Sequence, residues 1–551
     1  MPPLLACASA AAVALLAPRL LTSAQRGPAA LPGGDALRPE QKAAAAQYWH
    51  MCPSADTCGQ QRMLQWRQSP AALAGSVAPD LHHLPGLQSA MLQQVLQKWA
   101  FSPPAFRGTP VTLKLIADFM VELLQSDPFG TGAQVPYVDF QGLGDSKVVA
   151  ITQRQLAFVV ANVLMGNGLS GARDGLSGAL EHCGTTSSTA YIYSLLSLLA
   201  VLSQELHGGQ HGTVIVGATP RHRDDSWRSL LESSTLQEPT LCFESEGGQT
   251  DCGLPDFMSG GTDNQALTDI AGGVVGGGGQ LCDVADSQDE SLVQFYSEVL
   301  AFSFYVSSQK MLPVPWALLG TRSYLRGLTG STGENGKCGS ILDDNWLKDD
   351  PPPTITPVSL NGATAYMIAS SFVAVASKGG EKCPVELAKN NNCASQRHHV
   401  DEDLGLWYQA FSRDMYNEVV RPAFGAIVSS VGTGPWGAGV WWGDSHQYFL
   451  AVWLATSLLG GTRLDYYVYS HFCENPGNQC FVLGADGCKD CIQRAGNTGV
   501  DPAYCGSASV QDVVARFRGR SASDLYMALK TVADPPGQVF DQLASHAGAA
   551  R

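Results

Sequence analysis

Two adjacent carboxylates close a glycine-rich segment, and that combination can do chemistry. Residues Asp269 to Glu290 read DIAGGVVGGGGQLCDVADSQDE. Gly276, Gly277, Gly278 and Gly279 stand together, and Gln288, Asp289 and Glu290 end the segment. Glycine lets a backbone turn sharply and brings bare N–H groups close to an anion. Paired acids raise one another's pKa, so one can stay protonated near neutrality. A protonated carboxyl beside a bound sugar can give its proton to a leaving oxygen, and the carboxylate left behind can activate water. The same residues also suit an ordinary helix start, where acids favour the dipole and glycines form a loose connection. The segment is not a P-loop, because no Gly-Lys-Ser/Thr follows. It is not a dinucleotide fingerprint, because no helix begins directly after the glycines.

A second glycine loop, Gly434 to Asp444, reads GPWGAGVWWGD and includes Gly439, Val440 and Trp441. It precedes an apolar helical stretch from Gln447 to Leu459. Backbone amides before a helix N-terminus can cradle a diphosphate. The competing reading is a tight connection whose tryptophans cover the core. His446 reads as a surface residue at a helix start, with a second acid/base role as the alternative. His82-His83 and His398-His399 lie in polar loops without a complete ligand set. No catalytic metal and no cofactor is expected.

These loops need elements to hold them. Apolar residues recur every three to four positions over Ser89–Phe101, Val111–Gln125, Thr152–Met165 and Ser187–Leu206, which predicts helices. Thr152 suits an N-cap, and Gly166 and Gly168 end that helix. After about residue 210 the pattern changes. Thr213–Val216, Ala363–Ile368 and Leu464–Tyr469 read as strands. Leu292–Phe304, Leu404–Val419 and Gln447–Leu459 read as helices between them. Alternating strands and helices argue for an α/β layer architecture.

Composition narrows the class. Hydrophobic residues make up 45% of the 551 residues, which is globular rather than disordered. The formal charge of −15 argues against a protein that binds nucleic acid by neutralising phosphates. Leu4 to Ala17 is apolar but too short to span a bilayer comfortably, and Thr22-Ser23-Ala24 suits a cleavage site. Residues 1–24 therefore read as a secretory leader, with a transit peptide or an ordinary tail as alternatives. Ala190 to Leu202, the most apolar stretch, reads as a buried helix, so no membrane span is expected after leader removal. Of the 15 cysteines, 14 remain without Cys7. Cys52/Cys58, Cys242/Cys252, Cys383/Cys393 and Cys473/Cys480 are near pairs, as disulfides in an oxidising compartment would be. Zinc at Cys488-Lys489-Asp490-Cys491 is the rival, and free buried thiols are the third reading. No N-x-S/T sequon supports secretion.

Together these segments resemble the poly(ADP-ribose) glycohydrolase family. That family carries three glycines, a short spacer, then Gln-Glu-Glu. Asp269 to Gly278 is similar to its glycine segment, and Gln288-Asp289-Glu290 to its Gln-Glu-Glu. The helix pattern over Ser291–Phe304 follows, with Glu298 in place. Thr433 to Asp444 is similar to the family's second glycine loop, and Leu464–Tyr469 to the aromatic strand after it. Thr152–Leu164 resembles a helix of its accessory region, and Ser523–Tyr526 a late helix. The likeness is colinear from about residue 85 to 540. It implies that Glu290 is the general acid and then the base for water, and that Asp289 holds the ribose hydroxyls. It further implies that Gly276, Gly277, Gly278, Gly439, Val440 and Trp441 face the diphosphate and ribose, with Gln288 beside them. Tyr469 would stack on adenine, and Asp269 would stand near the adenine or beneath the loop. The chain departs from the family in several places. Nine residues separate Gly278 from Gln288, about two more than usual. Asp289 is one methylene shorter than glutamate. Gly272 and Pro435 stand where the family has asparagines, and Trp442 where it has glycine. No tyrosine falls near Gly327–Ser331, where the family has a tyrosine-rich loop.

The resemblance implies a macrodomain-like three-layer α/β/α mixed sheet over 211–540. It implies an all-helical accessory region over 86–210, after a linker and stapled loop at 25–85 and before a tail at 541–551. The implied activity is hydrolysis of ribose–ribose O-glycosidic bonds in poly(ADP-ribose), releasing ADP-ribose. The alternatives are a catalytically weak ADP-ribose-binding protein and a site turned to another nucleotide-sugar. The expected protein is a monomer in the secretory pathway or outside the cell, with an organelle, the cytoplasm or the nucleus as alternatives.

Overall fold

A computed structural model describes residues 48–50, 95, 98–126, 128–129, 134–136, 148–164, 186–206, 212–219, 225–245, 249–254, 263–270, 292, 295–299, 314–325, 346–347, 354–360, 362–375, 400–434, 445–468, 508–532 and 539–546. Four short strands come first. β1 (Tyr48–His50) pairs with β4 (Gln134–Pro136), and β2 (Ala105–Phe106) pairs with β3 (Thr109–Pro110). The β2–β3 turn is tight, with Arg107 and Gly108 both at positive φ, as a two-residue hairpin turn requires. Helix α1 (Leu113–Ser126) then buries Ile116, Ala117, Met120 and Leu123 along one stripe.

The segment Val148–Thr152 is rich in β-branched residues and forms strand β5. Thr152 ends it and caps α2 (Gln153–Leu164). Its Oγ1 accepts the Gln155 N–H at 3.1 Å, and the Gln155 side-chain carbonyl accepts the Thr152 N–H at 2.9 Å. Helix α3 (Thr186–Glu205) follows, and Leu195, Leu196, Leu198 and Leu199 are all buried in it. The expectation of an all-helical region over 86–210 is thus corrected. Helices occupy 113–126, 153–164 and 186–205, and most of Ser89–Phe101 lies outside the described residues, but β5 pairs antiparallel with β6 (Thr213–Ala218) and joins the main sheet.

The remaining elements form and cover that sheet. In chain order they are α4 (Trp227–Leu230), β7 (Thr240–Ser245), β8 (Gln249–Thr250), β9 (Gln265–Asp269), β10 (Trp316–Leu319), β11 (Ile355–Leu360), β12 (Ala363–Ile368), β13 (Ser371–Ala374), α5 (Val400–Phe411), α6 (Val420–Ile427), β14 (Ser430–Thr433), α7 (Ser445–Leu458), β15 (Arg463–Val468), α8 (Val510–Phe517), α9 (Ala522–Thr531) and α10 (Val539–Ser545). β11 and β12 form a separate hairpin, with Gly362 at φ +82° between them. The nine-stranded sheet runs β5-β6-β10-β13-β9-β14-β15-β7-β8. Five neighbours, β13, β9, β14, β15 and β7, are parallel, and the flanking strands are antiparallel. This is a mixed α/β architecture. Cys242 in β7 and Cys252 after β8 form a disulfide with a Cα–Cα distance of 5.0 Å. The other cysteines lie outside the described residues.

Helix α7 anchors the core. Phe449 through Ala455 are buried without interruption, as expected of a helix enclosed on all sides. Phe449 meets Tyr466 of β15 edge-on at 5.0 Å, and Trp453 Nε1 donates to the Gln237 carbonyl at 2.6 Å. Trp453→Ala removes a large buried ring and leaves that carbonyl unsatisfied. It is expected to cost about 3–5 kcal/mol, measured as a lowered urea midpoint. A loss below about 1 kcal/mol would show that this helix is not a central support.

Candidate functional site

The parallel strands point their carboxyl ends to one edge of the sheet. β9 ends at Asp269, β14 at Thr433 and β15 at Val468. The order β9-β14-β15 makes them neighbours, although they are far apart in sequence. Adjacent strands lie about 4.8 Å apart, so the outer two ends are separated by about 10 Å. The chain leaving β9 next enters β10, which lies beyond β13 on one side. The chain leaving β14 next enters β15, on the other side. The crossovers therefore diverge between β9 and β14. Such a switch point is where open α/β sheets form a crevice for ligands.

Of the sequence-predicted site residues, Asp269 lies within the described residues, at that point. Asp269 is the last residue of β9 and is buried, and its carbonyl accepts the Val375 N–H at 2.9 Å. Gly276, Gly277, Gly278, Gln288, Asp289 and Glu290 follow β9 in the chain but lie outside the described residues. Gly439, Val440 and Trp441 fall between β14 and α7, and Tyr469 follows β15 directly; these too lie outside them. His446 differs from the sequence expectation of a surface side chain. It is 3% exposed and stacks on Phe540 with centroids 3.8 Å apart. The first turn of α7 is covered by α10, which the local sequence does not reveal. Among the described residues no group of three or more His, Cys, Asp or Glu can hold a metal ion.

A buried polar cluster ties the three loop-bearing strands together. Gln265 Nε2 of β9 donates to Asp465 Oδ2 of β15 at 2.8 Å, reaching across β14. Gly432 of β14 makes room, since a Cβ there would stand 2.8 Å from the Gln265 amide carbon. Arg463 Nε donates to Asp465 Oδ1 at 2.7 Å, so the buried carboxylate has a cation beside it.

A second cluster joins the helical region to the chain beyond the acidic pair. Leu292, Phe295 and 297–299 are helical. Glu298 is fully buried there, and its Oε1 accepts the Tyr324 hydroxyl. Gln153 Nε2, at the start of α2, donates to Glu298 Oε1 at 3.4 Å and to the Tyr324 hydroxyl at 3.3 Å. Arg322 stands beside them, but its guanidinium pairs with Glu205 at 2.5 Å, and Arg107 reaches the same carboxylate at 2.7 Å. The sequence signal for this cluster is one carboxylate inside the apolar run from Ser291 to Phe304, and nothing in it names Gln153 or Tyr324 as partners. No protein-family model matches the chain, and no curated protein matches it in sequence.

Burial pushes the Glu298 carboxyl up to about 7, against the opposing pull of the Tyr324 hydroxyl and the Arg322 charge. The folded chain thus keeps a proton that the unfolded chain releases near pH 4.5. The resulting stabilisation is complete below that value. It falls as pH rises through about 7, and then levels off. A shift of this size corresponds to about 3 kcal/mol. Glu298→Gln is expected to remove this component, so wild type should lose more stability than the variant between pH 5 and pH 8. Urea unfolding at both pH values checks it, and parallel losses in the two proteins would show that Glu298 keeps an ordinary carboxyl pKa.

Proposed function

We propose that the chain is a poly(ADP-ribose) glycohydrolase-like enzyme. In this reading residues 211–540 form a macrodomain-like α/β/α catalytic region, and 86–210 form an accessory region fastened to it through β5. The supporting observation is the topology at the β9–β14 switch point. Three segments picked out by their chemistry, 271–290, 435–444 and Tyr469 onward, follow three adjacent parallel strands at one edge. Helix α7 begins just after the second glycine loop, so its orphan N–H groups suit a diphosphate.

The chemistry follows from the acidic pair. Glu290 gives its proton to the departing ribose oxygen, and an oxocarbenium-like transition state develops at the anomeric carbon. The carboxylate left behind takes a proton from the attacking water and so returns to its acid form. Asp289 holds the ribose hydroxyls, with Gln288 beside it. Glycine amides of both loops face the diphosphate, Tyr469 stacks on adenine, and Asp269 supports the loop from below. No metal or cofactor takes part. The Cys242–Cys252 disulfide and the even cysteine count after residue 24 support a secretory location.

The shorter Asp289 and the bulky Trp442 favour a second reading, an ADP-ribose-binding protein with little turnover. Incubation with poly(ADP-ribose) decides between them. Wild type is expected to release ADP-ribose. Glu290→Gln is expected to lower turnover by about 10²–10⁴-fold while calorimetry finds ADP-ribose affinity nearly unchanged. Binding without release would favour the second reading, and absence of both would reject each. Equal turnover in wild type and Glu290→Gln would remove Glu290 from the mechanism.

A further inference from the structure

We propose that Glu298 is a positioning residue, through which Gln153 and Tyr324 hold the helical segment following the Asp289-Glu290 pair at a fixed setting. The inference rests on the glycohydrolase reading for its effect on turnover, but its geometry stands apart from that reading. Three elements distant in sequence converge on one carboxyl oxygen. Glu298 Oε1 accepts from the Tyr324 hydroxyl and from Gln153 Nε2, which itself bonds the Tyr324 hydroxyl.

Neighbouring contacts hold the same segment from two sides. Tyr324 N–H donates to the Phe295 carbonyl at 3.0 Å, fixing the chain that leaves β10 against the preceding turn. Ser297 Oγ donates to the Ser194 carbonyl at 2.9 Å and lies 2.8 Å from Ser194 Oγ, so α3 grips the adjacent residue. Two glycines make the arrangement possible. A Cβ at Gly212 would stand 2.5 Å from Gln153 Oε1 and displace its amide. Gly320 sits at φ +85°, and a Cβ there would run into the Thr213 carbonyl.

Glu298 lies eight residues after Glu290 in the chain. Apolar packing alone tolerates small slides of a helix, whereas hydrogen bonds to one atom are directional. An error of about 1 Å in the setting of a catalytic group costs about 10²-fold in rate. Among the described residues, the charged and titratable groups acting on Glu298 are Tyr324 and Arg322, and the Arg322 charge is shared with Glu205. Arg322 therefore does not hold Glu298 as a simple ion pair, and the neutral donors Gln153 and Tyr324 set its position.

The test uses the full chain, with turnover on poly(ADP-ribose) and amide exchange at Tyr296 and Val299, whose N–H groups bond within the segment. Glu298→Ala and Gln153→Leu are expected to lower kcat by about 10- to 100-fold with KM changed less than about threefold. Both should speed exchange at the two amides by at least about tenfold. Glu298→Gln keeps the acceptor oxygen and is expected to restore most of kcat and the slow exchange. Folded Glu298→Ala with wild-type kcat would overturn the proposal and leave the glycohydrolase reading standing. If wild type releases no ADP-ribose, that reading falls and exchange alone decides. Faster exchange in Glu298→Ala but not in Glu298→Gln supports the proposal, and unchanged exchange overturns it. Should Glu298→Ala fail to fold, Gln153→Leu is judged by the same two measurements.

Discussion

Parallel strands have no tight turn between them to set their register, and a slip of one residue would reverse every side chain. In this chain Gln265, Gly432 and Asp465 supply the missing constraint across β9, β14 and β15. The Gln265–Asp465 bond forms only if β14 presents a residue without a side chain at the crossing point. Its partner strands must also stand at one height. The Gln265–Asp465 bond thus adds a side-chain constraint on all three loop-bearing strands to their backbone ladders. The carboxyl edge of the sheet, and anything built on it, depends on that setting.

Two of the buried carboxyls, Asp465 and Glu298, illustrate different solutions to one cost. Removing a charge from water is expensive unless a partner compensates. Asp465 has Arg463, whose side chain is 55% exposed and keeps contact with solvent. Among the described residues Glu298 has no such dedicated cation, because the nearby Arg322 is engaged by Glu205. It therefore favours the protonated form and relies on neutral hydrogen bonds. Glu205 itself sits at the C-terminal end of α3, where a negative charge opposes the helix dipole. Arg107 and Arg322 offset that penalty and tie the helical region to the chain beyond β10.

Elements with a strong local pattern were readable. Ala363–Ile368 is a strand with the bounds its alternation indicated, and Thr152 caps a helix as its sequence suggested. Elements decided by distant partners were not. Val148–Thr152 is a strand because β6 lies beside it, and nothing within its five residues names that partner. The stretch Leu404–Val419 read as one helix, but α5 stops at Phe411 and a short 3-10 turn over Arg413–Met415 separates it from α6. The buried Tyr416 hydroxyl bonds back to the Ala410 carbonyl and stabilises that break. For the site, chemistry pointed to the loops and the acidic pair. The switch point that groups their strands is a property of strand order, which pattern along the chain does not contain. Glu298 was visible as an isolated charge in an apolar run, but its role depends on Gln153, which lies 145 residues earlier.

Charge completes the physical picture of how such a site would work. A chain at −15 has no net field to draw in a polyanion. Several of its cations are also committed to acids: Arg154 to Glu122, Arg228 and Lys530 to Asp401, Arg463 to Asp465 and Arg518 to Glu238. Long-range attraction is further screened beyond about 8 Å at physiological salt. Affinity for a diphosphate must then come from contacts at hydrogen-bond distance. Backbone amides at the start of α7 are suited to that task, because they belong to a helix end and need no basic side chain. On the proposed reading, such a site would recognise one ADP-ribose unit and leave the rest of a polymer unattended. The glycine richness and the acidic balance are therefore compatible on the proposed reading, since recognition by main chain would let the surface stay negative.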